Sequence, residues 1–456
     1  MAEPALQTGD DRITWLDRAL RPFADVRACE AATALVLAGT IFTILTAYYL
    51  LKVIREPFIL IGGGAEVKSY AAAGQALLLI PVLKVHGAIA SRVGRLKLIA
   101  AVLLFCAASL LVFWFLTRAG AAIGVPFYLW VGTFNVILTA TFWSFANDVY
   151  TPEQGKRLFP ILGIGMSVGA LAGAGLAGRL LRVLDPQALM LIAAGLLVAC
   201  LGMFAYAHTH DRCWPKDRGK LVHPSEPIRG AGGFRTVLSD RYLILIAVMV
   251  ILTNWVTNGG EYVLDRTLLA AGHESGLSGP ALTKFIGAFK ADYFWWFDLL
   301  GVLSQFFLVS RILKYLGVGG ALLILPAVAL TGNTLMMLLP VLGLIRVAKI
   351  TERSVEYSLQ NTAQNALYLV VSRDAKYKAK AVIDSLLVRF GDVCAAGAIL
   401  IGTQFGLAAR GFAALNVVLA ATWLMVAWRV RAVHRQRLGD VESPGALTGQ
   451  PAVQSA

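Results

Sequence analysis

Six side chains, Arg346, Lys349, Arg353, Glu356, Gln360 and Gln364, recur three or four residues apart. That spacing places them on one face of a helix. Guanidinium forks and ammonium groups suit phosphate or carboxylate. On this face three cations meet a single acid, Glu356, and the surplus of positive charge predicts an anionic ligand. A polar stripe inside an apolar helix needs water, a ligand or other polar groups opposite it.

Three further apolar stretches carry buried-looking polar groups: Tyr48, Tyr49, Lys52, Arg55 and Glu56 in one, Asn135, Trp143, Asn147 and Asp148 in a second, Asn254, Asn258 and Glu261 in a third. Charges inside membrane spans are costly and usually face a cavity or a partner. Lys52, Arg55, Asn147, Arg346, Lys349, Arg353 and Lys380 are therefore the candidate solute-binding residues. Glu56, Glu261, Glu356 and Asp384 are candidates for coupling or gating, as groups that take up protons or exchange partners. The competing reading is internal neutralisation. Lys52 and Glu56 are four residues apart, as are Lys380 and Asp384, and Arg389 and Asp392 are three apart. Pairing is the favoured reading for Arg389–Asp392; for Lys52–Glu56 both readings stand.

Other chemistry finds little support. There is no Ser-His-Asp set, no H-E-x-x-H and no phosphate-binding P-loop, so an enzyme, including one acting on lipid phosphates, lacks its nucleophile or metal cluster. No cofactor or metal is implied. The five cysteines are odd in number and far apart, which predicts inert thiols. Gly165, Gly169 and Gly173 fall every fourth residue; without a preceding strand they predict close helix packing, not dinucleotide binding. Trp295 and Trp296 predict interfacial anchoring, with a stacking platform as the alternative.

The elements that must position these residues are membrane helices. Of 456 residues 57% are hydrophobic and only 15% charged, and the mean hydropathy is +0.68. Apolar runs such as Ala31–Leu51, Leu98–Leu116, Leu189–Tyr206, Ala321–Leu339 and Ala408–Trp428 are long enough to cross hydrocarbon. The reading is an all-α membrane protein of about twelve spans in two six-helix bundles. It divides into a cytoplasmic segment 1–30, a first bundle 31–207, a linker 208–240, a second bundle 241–431 and a tail 432–456. The polar stretches fall on the first, fourth, seventh and tenth spans. The net charge of +14 is spread over alternate loops, as on the cytoplasmic side of a membrane protein, not gathered in a nucleic-acid-binding domain. That asymmetry, roughly fourfold, puts both termini in the cytoplasm. The basic loops 91–97 and 310–317 echo one another, as do 149–153 and 370–374, which suggests repeated halves around a site near the midplane.

Gly87-Ala88-Ile89-Ala90-Ser91-Arg92-Val93-Gly94-Arg95 resembles the loop signature of the major facilitator superfamily, with Ser91 where that signature has an acid. More specifically, the chain resembles the nucleotide translocase family, the ATP/ADP exchangers of plastids and intracellular bacteria. Arg55-Glu56-Pro57, Gly64-Ala65-Glu66, Phe142-Trp143-Ser144-Phe145-Ala146-Asn147, Gly260-Glu261-Tyr262, Lys378-Ala379-Lys380 and Arg389-Phe390-Gly391-Asp392 carry the likeness. By resemblance Arg55 stands for the family's first-span lysine, Glu261 for its seventh-span glutamate and Lys380 for its late lysine. Two positions depart: Val131 lies where a glutamate would fall, and Glu356 where a lysine would. The resemblance implies a monomeric secondary transporter of an anionic, nucleotide-like or phosphorylated solute, working by alternating access in a bacterial inner membrane. Its partners would be that solute and the bilayer, with no nucleic acid. The alternative is a non-transporting receptor or scaffold on the same fold.

Overall fold

The computed structural model describes residues 30–90, 92–209, 233–371, 379–380 and 382–442. The N-terminal segment, most of the linker, the loop 372–378 and the end of the tail lie outside the described residues. So does Ser91 of the loop signature.

Every regular element among the described residues is helical: α1 (Glu30–Ala90), α2 (Arg95–Arg118), α3 (Gly124–Val149), α4 (Pro152–Leu180), α5 (Pro186–Thr209), α6 (Gly233–Ser239), α7 (Arg241–Glu274), α8 (Gly279–Phe307), α9 (Val309–Leu338), α10 (Leu342–Val355), α11 (Asn361–Leu367), α12 (Val388–Gln404) and α13 (Ala409–Glu442). Two π-helical turns, Glu356–Gln360 and Ile383–Leu387, lead into α11 and α12. Nine of the described helices are long and apolar enough to cross a bilayer. The protein is a multi-pass α-helical membrane protein. Helix α2 turns Phe105, Val112 and Phe115 outward, as a lipid-facing helix does.

The break between the first two spans is sharper than the sequence suggests. Within Gly62-Gly63-Gly64 only Gly64 leaves helical geometry, with φ 78° and ψ 179°. Glycine is the residue that tolerates that backbone. In α9 the helix resumes across Gly317 (φ 67°), so the stretch Ser310–Leu316, expected to close a span, is itself helical.

The chain gathers into two compact units. One comprises Met1–Gly62, Leu78–Ser225 and Gly279–Trp295; the other comprises Gly63–Leu77, Glu226–Ser278 and Trp296–Ala456. The part of α1 just after Gly64 therefore groups with α7, and the first half of α8 groups with α1 and α4.

In the first unit the glycines of α4 form a seam against α1. A Cβ on Gly165 would lie 2.6 Å from the Ala38 carbonyl oxygen, and one on Gly169 2.5 Å from that of Phe42. One on Gly173 would lie 2.8 Å from that of Thr46. Both helices present this contact every fourth residue, so the backbones touch along one stripe. The Thr46 hydroxyl donates across it to the Gly169 carbonyl (3.2 Å). At the start of α4, Thr151 and Gln154 form a reciprocal cap, and Arg157 clasps Glu30 of α1 through two 2.9 Å bonds. In the second unit Trp423 and Tyr242 sit at the centre of the apolar core that joins α7, α9 and α13.

The seam makes a sharp prediction. Gly169→Ala should destabilise the protein by about 1–3 kcal/mol, the usual penalty of overpacking. Gly163→Ala, on the same helix with nothing within 4 Å of the new methyl, should be neutral or slightly stabilising. Thermal unfolding in detergent checks the pair.

Candidate functional site

In the first unit the polar cluster is built around Glu56, which is 1% exposed. Arg55 donates to it from Nε (3.2 Å), and Lys290 of α8 approaches its other oxygen (3.9 Å). The Arg55 guanidinium also lies 4.5 Å from the centre of the Tyr128 ring of α3. Lys52, one turn earlier on α1, sits 4.4 Å from the Tyr49 ring centre and 4.2 Å from that of Phe294. Two cations thus meet Glu56, and a third, Lys52, lies one helical turn earlier against aromatic faces. Aromatic faces stabilise cations electrostatically, most effectively where water is excluded. Pro57 directly follows the pair and is tolerated inside α1. Asn147 lies apart from this group, exposed near the end of α3. Val131 is fully buried in the body of α3.

In the second unit the cationic stripe of α10 is neutralised more fully than its spacing predicts. Arg353 donates to Glu261 of α7 (3.2 Å) and to Glu356 (3.0 Å). Lys349 is fully buried and donates to Glu352 (2.8 Å) and to the Thr257 carbonyl (3.2 Å). The expected stripe of three cations facing only Glu356 is corrected on two counts. Glu352 lies three residues from Lys349 and turns in beside it, and Glu261 reaches across from another helix. Gly260 makes the room: a Cβ there would stand 2.8 Å from the Lys349 ammonium. Arg346 is partly buried one turn before Lys349.

The expected Arg389–Asp392 pair is present (3.3 Å), and Asp392 also accepts from Asn258 of α7 (2.7 Å). Between them Gly391 lets α12 pack closely, since a Cβ there would meet Asn254 at 2.8 Å. Lys380 and Asp384 find other partners than each other: Lys380 donates to Asn365 (2.7 Å), and Asp384 accepts from Gln364 (3.4 Å).

Contacts between helices distant in sequence went unforeseen. Besides Lys290–Glu56, the segment after Gly64 is tied to α7 through Lys68–Asp265 (2.6 Å) and Tyr262–Glu66 (2.7 Å). Arg266 links Tyr262 to the Leu407 carbonyl (3.1 and 2.8 Å). Glu66 stood in a recognised motif, Gly64-Ala65-Glu66, but nothing in the sequence names its partner. Trp295, read as an interfacial anchor, lies beside Gly175 of α4, 3.3 Å from where a Cβ would sit.

No family model matches the chain. It is 22% identical over 342 residues to ADP,ATP carrier protein 1 of Chlamydia pneumoniae, covering 65% of this chain and 64% of that protein. It is 22% identical over 287 residues to ADP,ATP carrier protein 2, chloroplastic, of Arabidopsis thaliana, covering 55% and 44%. The chain thus spans less than two thirds of the length of these carriers. Among solved structures, a point mutant of the nucleoside transporter NupG superposes with a TM-score of 0.64 at 12% identity, over 88% of this chain and 99% of that one.

The fully buried pair makes a testable claim. Lys349→Ala should cost about 3–5 kcal/mol of stability, because Glu352 is left as an uncompensated buried charge. The double variant Lys349→Met, Glu352→Leu should recover most of that loss in a detergent melt.

In sequence the chain is similar to the ADP,ATP carriers, and its fold is that of the solved nucleoside transporter NupG.

Proposed function

We propose that the protein is a secondary transporter that carries an anionic, nucleotide-like or phosphorylated solute by alternating access. The observation that carries this reading is the pairing of Arg55 and Lys290 with the buried Glu56, with Lys52 against the aromatic rings one turn away on the same helix. Charge held in hydrocarbon is expensive and is kept where it serves a pathway. Arg55, in the place of the carriers' first-span lysine, is the main anion ligand, with Lys52 beside it. The relationship to carriers named for ADP and ATP supports the nucleotide class.

Coupling falls to the shared acids. Arg353 is held between Glu261 and Glu356, so it has two partners to choose from as the helices rearrange. Glu56 has the same choice between Arg55 and Lys290. About twelve crossings, cytoplasmic termini, a bacterial inner membrane and a monomeric state complete the proposal. Val131 and Glu356, which replace a glutamate and a lysine of the carriers, lead us to expect a preference that differs from plain ATP/ADP exchange.

Reconstitution tests this. Proteoliposomes loaded with ADP, phosphate or a dicarboxylate are presented with the labelled solutes in turn. At least one phosphorylated solute should enter saturably. Arg55→Ala should reduce that flux at least tenfold, since a hydrogen bond to a charged group is worth about 1.5–3 kcal/mol, while Gly163→Ala retains it. Binding with no flux of any solute would point instead to a receptor or scaffold.

A further inference from the structure

The second unit holds a recess of about 340 Å³ whose walls differ in kind from the ion pairs beside it. Carboxamides dominate: Asn254, Gln360, Gln364 and Asn365 all line it. Both π turns open onto it, the first through Glu356 and Gln360 and the second through Asp384. Such widened turns are frequent at functional positions.

Gln360 is the telling residue. It is 2% exposed, and neither its Oε1 nor its Nε2 has a hydrogen-bond partner among the described residues. A buried carboxamide left unmet at both ends is costly, and native structures rarely keep one without a use. The two atoms ask for complementary groups side by side, a donor for the oxygen and an acceptor for the nitrogen. A metal ion would satisfy only the oxygen. An anion would satisfy only the nitrogen, and would face the carboxylates of Glu356 and Asp384 across the recess. A planar heterocycle with a donor next to an acceptor satisfies both at once, as glutamine does against an adenine edge. Tyr357, at the same wall, offers a ring 57% exposed, packed parallel to Phe297 at 5.6 Å. Aromatic side chains there add sequence-tolerant stacking for a base.

We propose that this recess receives the uncharged heterocyclic part of the solute, with the Gln360 carboxamide meeting an adjacent donor and acceptor. The inference rests on the nucleotide-like reading above only for what else the solute carries.

The test uses uncharged probes on the full chain in detergent. Adenosine should bind and raise the melting temperature, whereas inorganic phosphate and glucose should not compete with it. Gln360→Leu, of similar shape, should weaken adenosine at least tenfold. It should not lower the melting temperature of the ligand-free protein, because it replaces two unmet polar atoms. Gln360→Glu keeps acceptors but loses the donor, and should also weaken adenosine. The proposal is overturned if adenosine does not bind the native chain, or binds both variants equally. It is also overturned if Gln360→Leu destabilises the ligand-free protein, which would mean that water already satisfies the amide. Gln360-dependent adenosine binding without flux would sink the transport reading and leave the recess standing. Flux with Gln360-independent binding would do the reverse.

Discussion

A charge placed in hydrocarbon must be met by an opposite charge, a dipole or an aromatic face, and that requirement shapes this protein more than any other. Hydroxyls on α1 meet it locally: Thr40, Thr43 and Thr46 each donate to the carbonyl four residues back. The ionised groups cannot. Glu56, Asp265, Lys290, Lys349 and Glu352 are all buried, and each is matched to a named partner. The helices are thereby fixed in register by their charges as much as by their apolar faces.

The same requirement explains what the sequence could and could not reveal. Helix existence was legible because apolar runs of membrane length are hard to mistake. The glycine seam was legible too, since a four-residue repeat of Gly165, Gly169 and Gly173 has few other uses. The Arg389–Asp392 pair followed from helical spacing alone. Pairing across helices was not legible. Glu56 and Lys290 lie in separate stretches of the chain, and no local pattern joins them. The charge balance along α10 was not legible for a related reason. The charge balance of Lys349 and Arg353 depends on Glu261 from α7 and on the inward turn of Glu352.

That rebalancing changes which residues are available to a solute. Lys349 is fully enclosed beside Gly260, and Arg353 is engaged by two carboxylates. Beyond Arg353 the chain offers a π turn and a row of carboxamides about a recess that holds no cation. The first unit offers the reverse, with cations and aromatic rings gathered at a buried acid. Glu356 holds Arg353 at the edge of the recess.

The stripe where α4 meets α1 has a mechanical meaning. Helices that touch through their backbones have almost no side-chain rotamers to rearrange between them, so the contact is stiff. One end is closed by the Glu30–Arg157 clasp, and the Arg55–Glu56 pair lies beyond the other. The 25 residues of α1 from Glu30 to Ile54 cover about 37 Å at helical rise. The two helices form a beam, and a nudge given to Glu56 at one end must be felt as leverage on Glu30 at the other.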